Sequence, residues 1–384
     1  MFSRLLCLIL WVSPLVLFAK VRVNPADSSN AGTDGPHVFY RNNGVVVKYV
    51  VMRHNGPAAC TQFFPDKQSA VLSCTIPETG DTFSFALREK LSVPPAIYPA
   101  ANRLLVLSDI EGNFQAMKMM LQSAGVIDNQ LNWIYGQGHL VLLGDFFDRG
   151  LQVTESLWLL YKLEGEAENA GGKVHFILGN HEVINLQGNT EYVRRKYLQN
   201  TRILQEDYHR WFDQNSELGR WLRTKNAVEK IGDYVFCHGG ISMDIVHAGL
   251  SIAEINRIVR QNLGKKDCCL ESTIANAVFD HKTGVFWYRG LAKNMVPPEE
   301  VAAILSFIGA KKMVVGHTLQ PFPTAFYNGQ IICIDMYHEE NLRQGFVQTL
   351  LIENENCYAI NTNGYKIPIV SVARPALKTY PSQR

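Results

Sequence analysis

The chain has 384 residues, of which 47% are hydrophobic and 19% charged, and its formal net charge is +2. That length holds one large domain with a smaller one attached, and the composition suits a sizeable core. A charge so close to neutral argues against nucleic acid or an anionic membrane as the main partner.

At the N-terminus, Arg4 precedes an uncharged run from Leu5 to Phe18. At about 14 residues the run is short for the ~20 needed to span a bilayer and suits the core of a secretory signal. Ala19 fits the position before a cut, although Leu17 is larger than the small-x-small rule prefers. Residues 1–19 therefore read as a cleaved signal, favoured over an uncleaved anchor, and the expectation is an exported protein, periplasmic or secreted. No other segment is apolar for long enough to cross a membrane. Residues 20–36 are polar and read as a flexible leader. From 37 to 98 the signals are β: Val45–Val51, Ala70–Ile76 and Thr82–Leu87 are strand-like, with a turn at 78–81. This stretch is expected to form a small β subdomain, ended by Pro94, Pro95 and Pro99.

The main domain is expected over 99–370, with a tail at 371–384. Its rhythm is strand, loop, helix. Leu104–Leu107, Leu140–Leu143, Val174–Leu178, Val235–Cys237 and Met313–Val315 are short apolar strands, and Phe114, Met117 and Leu121 share one helical face. Such alternation predicts βαβ units and a largely parallel sheet, with any ligand at the carboxyl ends of the strands. Residues 183–233 form a polar, helix-prone insert that reads as a cap over those ends. Its aromatics, Tyr192, Tyr197, Tyr208, Trp211 and Trp221, are expected to pack its helices, and its Arg194-Arg195-Lys196 run to be a solvated face or to meet an anionic substrate.

Eight cysteines are present, and Cys7 leaves with the signal. Seven cannot pair completely within one chain. Cys60 and Cys74 are either a disulfide or two free thiols. Cys268 and Cys269 are too close along the chain to favour bonding each other. No Cys-x-x-Cys pair points to a structural zinc site.

Five fragments follow the strands: Ser-Asp-Ile-Glu-Gly at 108–112, Gly-Asp-Phe-Phe-Asp-Arg-Gly at 144–150, Gly-Asn-His-Glu at 179–182, Cys-His-Gly-Gly at 237–240 and Gly-His-Thr at 316–318. They place Asp109, Glu111, Asp145, Asn180, His238 and His317 at one edge. This mixed oxygen and nitrogen set suits two divalent ions, with Asp145 bridging, Asp109 and Glu111 on one side and Asn180, His238 and His317 on the other. Two metals about 3.5–4 Å apart can activate a water and neutralise a phosphoryl group. Arg149 and Arg289 offer guanidinium forks for phosphate oxygens. His181 can protonate a leaving oxygen, with Asp148 holding its tautomer. Asp335 ends another apolar run and can support the site from behind. Cys237 reads as strand packing, and His247, His281 and His338 as non-catalytic.

These fragments resemble the calcineurin-like metallophosphoesterase superfamily and, within it, the phosphoprotein phosphatase family. The stretch from Leu218 to Gly240, Trp-Tyr-Arg-Gly at 287–290 and Val-Gly-His-Thr at 315–318 resemble its bacterial, Shewanella-like branch. The resemblance covers about 102–336. It implies an α/β fold of αββα type, two mixed sheets flanked by helices. It also implies metal roles for Asp109, Asp145, Asn180, His238 and His317, phosphate contacts for Arg149 and Arg289, and His181 as acid with Asp148 as its partner. One position departs: the family has histidine where this chain has Glu111, which either ligates a metal or only hydrogen-bonds a metal-bound water. Ser108 replaces the motif's first glycine. The expected cofactors are Mn, Fe or Zn, with Mg or Ca at the Glu111 side. The expected reaction is hydrolysis of a phosphorylated protein, peptide or small molecule by direct attack of a metal-bridged hydroxide. The alternatives are a phosphoanhydride or phosphodiester hydrolase of dinucleoside polyphosphate type, or a non-catalytic phosphate-binding adaptor.

Overall fold

In the structure, a computed structural model that describes residues 27, 29–41, 43–270 and 272–372, strand formation begins at β1 (Asp34–Arg41). The expected signal at 1–19 and most of the expected tail lie outside the described residues. β1 continues into β2 (Gly44–Arg53) and β3 (Gly56–Phe64), an antiparallel three-stranded sheet, followed by the hairpin β4 (Val71–Ile76) and β5 (Asp81–Ala86). In β4 the pattern is strict alternation, with Leu72, Cys74 and Ile76 buried and Val71, Ser73 and Thr75 exposed, as a half-buried hairpin requires.

Two six-stranded sheets make the body. β6 (Ile97–Tyr98) starts one of them, and β7 (Arg103–Leu107), β8 (His139–Leu142) and β9 (Lys173–Phe176) run parallel in the other. β10 (Val228–Ile231), β11 (Tyr234–Cys237), β12 (Lys312–Val315), β13 (Thr324–Phe326) and β14 (Ile331–Cys333) complete the first sheet in the order β13-β14-β12-β11-β10-β6. β15 (Gln348–Glu353), β16 (Asn356–Asn361) and β17 (Lys366–Pro368) extend the second, giving β17-β16-β15-β7-β8-β9. Each sheet is mixed: β11, β12 and β14 are parallel, whereas β15 lies antiparallel to β7 and β10 to β11. The largely parallel sheet expected from local rhythm is thus corrected, because the hairpin connections at β10–β11 and β15–β17 are too short for crossovers.

The period of two along each strand explains the layering. Leu104 and Val106 of β7, Val141 of β8, Phe236 of β11 and Val314 of β12 share an apolar cluster between the sheets. Their neighbours Leu105, Leu107, Leu140, Leu142, Val235 and Met313 belong to the other core, beneath the helices. Strands buried on both faces read as continuous apolar runs, and two such sheets stacked with outer helices are the expected αββα arrangement.

Helix α1 (Phe114–Ser123) is capped by Asn113, whose Oδ1 accepts from Ala116 N at 3.1 Å. α2 (Val153–Asn169) buries Leu157, Trp158 and Tyr161, and the N-terminal strands pack on it: Trp158 Nε1 donates to Pro36 O of β1 at 2.7 Å and its ring stacks on Phe85 of β5 with centroids 4.6 Å apart. α3 (Asn180–Leu186), α4 (Arg195–Leu204) and α5 (Glu217–Leu222) follow. The insert expected at 183–233 therefore holds α4, a 3₁₀ turn at Tyr208–Phe212 and α5, but its last residues, Val228–Ile231, are a strand of the main sheet. Asp34–Pro36, assigned to the leader, already belong to β1, and Ile97–Tyr98 pair with Lys230–Ile231. Cys60, Cys74, Cys237, Cys268, Cys269, Cys333 and Cys357 are free; Cys60 lies on β3 and Cys74 on β4, in different sheets.

Candidate active site

Six chain segments leave parallel strands at the same edge of the sandwich. Asp109 and Glu111 follow β7, Asp145 follows β8 and Asn180 follows β9 in one sheet; His238 follows β11, His317 follows β12 and Asp335 follows β14 in the other. The first two loops are laced together, with Asp109 N donating to Gly144 O at 3.0 Å, Glu111 N to Asp145 O at 2.9 Å and Gly112 N to Phe146 O at 3.1 Å. Close approach explains the glycines. A Cβ on Gly144 would lie 2.2 Å from Gly179 N, and one on Gly150 would lie 2.3 Å from Glu111 O.

The bends that aim these side chains are strained. Six of the thirteen non-glycine residues with positive φ among the described residues are Asp109, Glu111, Asp145, Asp148, Arg149 and His317. Each such conformation costs about 1–3 kcal/mol and persists where surrounding bonds over-determine it. Glu182 supplies some of those bonds. Its buried carboxylate accepts from Asp145 N at 2.8 Å, Phe146 N at 2.8 Å and Gly179 N at 2.6 Å, tying the β8 loop to the start of α3.

The side chains form two groups of metal-binding geometry. Ligand atoms of Asp145, His238 and His317 lie within 4.8 Å of one another, as do those of Glu111, Asp145 and His181. Asp145 belongs to both, and the second group holds His181 where the sequence pointed to Asp109. His238 faces Leu143 O through Nδ1 at 2.7 Å, leaving Nε2 at 2.8 Å from Asn180 Oδ1 and 3.1 Å from Asp145 Oδ2. Asp109 accepts from Ser108 Oγ and, at 3.2 Å, from His317 N. Ser108 thus orients a carboxylate that a glycine could not.

Electrostatics fit the same reading. Burial, with Asp145 and Glu111 adding to it, pushes Asp109 up to about 7. Burial likewise lifts Glu111 to about 8 and, with Asp109 adding, Asp335 to about 8. Burial works against ionisation of Asp145 too, but the imidazoles of His238 and His181 outweigh it and hold this carboxyl well below the usual range. Burial and then the neighbouring His238 push His317 down to about 2, and its buried Nε2 has no hydrogen-bond partner. A divalent cation answers both features, since it offsets crowded carboxylate charge and takes an imidazole lone pair. The residues present fit a pair of such ions, and carboxylate, amide and imidazole donors suit borderline to hard metals.

Beside this group stands a second one. His181 Nδ1 meets Asp148 Oδ2 at 2.6 Å, and Asp148 also accepts from Asn185 Nδ2 at 2.7 Å. Burial opposes charge on His181, but the carboxylates of Asp145 and Asp148 outweigh it and raise the imidazole to about 9. Its Nε2 faces the cleft, 3.4 Å from Arg149 Nη2. Arg149 pairs with Glu111 and lies over the Tyr192 ring, 5.9 Å from its centroid. Arg289 donates to His317 O and to Thr318 Oγ1 at 3.4 Å.

The ten residues given metal, acid or phosphate roles from sequence lie in this region, and eight of them line one cleft of about 600 Å³; Asp148 and His238 lie behind its wall, and Asp335, expected behind the site, lines the cleft as well. Sequence reasoning assigned no role to Glu182, although its place three residues into a helix start is a capping signal. His281, read as non-catalytic, lines the cleft and stacks on Trp287 with centroids 4.4 Å apart. Tyr192 is 44% exposed and forms a cleft wall rather than helix packing. His338 donates to Ser108 O at 3.0 Å, Cys237 is core, and His247 is exposed at a helix end. Lys196 is buried, not solvated, because carbonyl and carboxylate partners surround its Nζ.

Comparison with known proteins adds three findings. A family profile described as calcineurin-like phosphoesterase matches residues 102–321. Shewanella-like protein phosphatase 2 of Arabidopsis thaliana is 27% identical over 330 residues, covering 72% of this chain and 82% of the relative; Shewanella-like protein phosphatase 1 of Plasmodium berghei is 30% identical over 228 residues, covering 57% and 62%. The crystal structure of a cold-active protein-tyrosine phosphatase of a psychrophilic Shewanella species superposes with a TM-score of 0.79 at 29% identity, covering 88% of this chain and all of that one.

Proposed function

The chain belongs to the calcineurin-like phosphoesterase family, and from that premise we propose that it is a metal-dependent phosphatase acting on phosphoprotein or phosphopeptide, with phosphotyrosine preferred. The observation that carries this reading is the convergence of His181 Nε2 and the Arg149 guanidinium, 3.4 Å apart, on the space beside the buried carboxylates. Two cationic donors aimed at one point suit a phosphoryl oxygen. Arg289, in a turn between two helices, approaches from the other side, held by His317 O on the loop after β12. Together the arginines orient the phosphoryl group, and His181, its tautomer held by Asp148, places a proton at the departing oxygen. Two divalent cations, when bound by Asp109, Glu111, Asp145, Asn180, His238 and His317, supply a nucleophilic water and offset phosphoryl charge. Mn, Fe or Zn suit that set, with Mg or Ca suited to the Glu111 side.

A peptide substrate is supported by the shape of the surface. The cleft shares Asp109, Glu111, Arg149, Glu191, Tyr192 and Tyr337 with an open groove of about 770 Å³, so a chain can continue past the phosphorylated residue. Tyr192, Trp287 and Tyr337 wall the entrance and suit an aromatic leaving group. The names of the two phosphatase relatives and the tyrosine phosphatase neighbour support the same substrate class. Export is supported by the apolar run from Leu5 to Phe18.

One experiment tests these points together. The chain is recovered from the periplasmic or secreted fraction, its mass is measured, and it is reconstituted with Mn²⁺, Zn²⁺, Fe²⁺, Mg²⁺ or Ca²⁺. Each form is assayed on phosphotyrosyl and phosphoseryl peptides, a phosphodiester and a dinucleoside polyphosphate. The expected outcome is a mature chain beginning at Lys20 that turns over phosphotyrosyl peptide fastest and loses activity on chelation. Faster cleavage of the diester or polyphosphate, or two bound metals with no turnover, would overturn the reading; retention of Met1 would overturn cleavage of the signal, and absence of the chain from that fraction would overturn export.

A further inference from the structure

The residues that hold the Arg149 loop from behind belong to the cap and to the N-terminal segment. Arg149 is one of the strained left-handed residues, with φ 55°, and follows Asp148 at φ 70°. Its own N–H donates to Tyr192 O at 3.2 Å, and its carbonyl accepts from Arg194 Nη1 at 2.9 Å. Two residues on, Leu151 O accepts from Lys196 Nζ at 2.7 Å. The Arg194-Arg195-Lys196 run therefore turns its two flanking cations onto backbone carbonyls on either side of Gly150, where no side chain fits against Glu111.

These cations are in turn fixed by the segment that precedes β1. Asp27 pairs with Arg194 Nε at 3.0 Å and accepts from Arg195 N at 2.6 Å, and Ser29 Oγ accepts from Lys196 N at 3.0 Å. Those N–H groups open α4 and have no partner within the helix, so the segment supplies the cap that Arg194 itself lacks. Farther along, Ala31 N donates to Gln199 Oε1 at 2.5 Å and Asn200 Nδ2 to Gly32 O at 3.1 Å. The described part of the expected leader is bonded to the cap at residue after residue.

We propose that Arg194 is a positioning residue for Arg149, and that Asp27 of the N-terminal segment sets Arg194 in place for that role. Neither touches the phosphoryl site. Asp27 holds the Arg194 guanidinium, which holds the Arg149 carbonyl, which keeps a backbone in a conformation it does not otherwise favour. A guanidinium is suited to this task because its charge is spread over one planar group: Nε lies within ion-pair distance of the Asp27 carboxylate, without hydrogen-bond alignment, while Nη1 donates to the Arg149 carbonyl. The inference rests on Arg149 as a phosphate contact, the role proposed for it in the phosphatase reaction.

The test is a double-mutant cycle on the metal-loaded enzyme, read as the inhibition constant of inorganic phosphate, with urea midpoints and metal content alongside. Arg149→Ala is expected to weaken phosphate by about tenfold or more, and Arg194→Ala and Asp27→Ala each by about three- to tenfold, with kcat changing less than KM. In the Arg149→Ala background, Arg194→Ala is expected to add nothing. Arg194→Lys keeps a charge opposite Asp27 but cannot span both partners in one fork. It is expected to weaken phosphate with an unchanged urea midpoint, which separates positioning from folding. The proposal is overturned if phosphate inhibition is unchanged in Arg194→Ala and Asp27→Ala, or if Arg194→Ala weakens it equally with and without Arg149. An unchanged constant in Arg149→Ala would instead overturn the phosphate role of Arg149 itself.

Discussion

His181 is the residue whose surroundings most restrict what it can do. Its Nδ1 is committed to Asp148, and Asp148 is committed in turn to Asn185, whose Oδ1 accepts from Tyr208 OH at 2.9 Å. The imidazole is therefore oriented through three buried side chains, and the only ring nitrogen left for chemistry faces the cleft. General acid assistance of this kind is worth about 10²–10⁴-fold, and most when the leaving oxygen is a poor one. Replacing His181 by Asn is expected to cut kcat on a phosphoseryl peptide by that range and on an activated aryl phosphate by much less. Equal loss on both substrates, measured side by side, would remove the acid role. The same scale shows how Glu111 differs from the histidine that the family pattern carries: its carboxylate lies near Asp145 and also pairs with Arg149.

At the scale of elements, the site depends on loops that leave different strands and are bound to one another rather than to a common core. Glu182 is the clearest joint. Three backbone N–H groups from two loops converge on its carboxylate, and a glutamine would turn an amide donor toward at least one of them. Hydrogen bonds to a charged group contribute about 1.5–3 kcal/mol, and an unmatched buried donor costs a similar amount. Glu182→Gln is expected to lower unfolding free energy by about 2–4 kcal/mol in urea and to weaken retention of bound metal during dialysis. A variant as stable and as metal-rich as the parent would show that the loops hold their strained bends without it.

For the whole molecule, the attachment of the N-terminal strands matters most. β1, α2 and α4 meet at a buried charged cluster in which Glu155 is fully buried, its carboxylate lacks a hydrogen-bond donor, and Lys196 Nζ stands 3.7 Å away, with Asp34 nearby. Burial lifts Glu155 from an ordinary 4.5 to about 8, against the pull of Lys196 and helped by Asp34. Between those two values the folded chain holds a proton that the unfolded chain has released, so stability from this group falls as pH rises through the window. Glu155→Gln is expected to flatten the pH dependence between about 4.5 and about 8, and to leave the variant more stable than the parent at pH 9 by on the order of a few kcal/mol. Urea titrations of both proteins at pH 5, 7 and 9 check this; parallel curves would show that the carboxylate is ionised throughout.

Much of the catalytic edge is legible in the amino-acid sequence, because metal and phosphate chemistry needs particular residue types directly after apolar strands. Asp109, Asp145, Asn180, His238 and His317 each follow such a run, and short-range spacing carries that information in full. The core strands are legible for the same reason: Leu104–Leu107 and Val235–Cys237 need only a period of two and a burial requirement. What sequence spacing does not carry is which loop leans on which. The mixed pairing of the sheets, the reach of Glu182 across two loops, the entry of Tyr192 and His281 into the cleft, and the grip of Arg194 on Arg149 join residues far apart in the chain. Their side chains have no local signature, since an arginine on a polar helix reads as solvated until a specific carbonyl and carboxylate are brought within its reach. Local propensity and ligand chemistry are properties of a segment, whereas a shared hydrogen bond is a property of two segments, and only folding brings the second one into place.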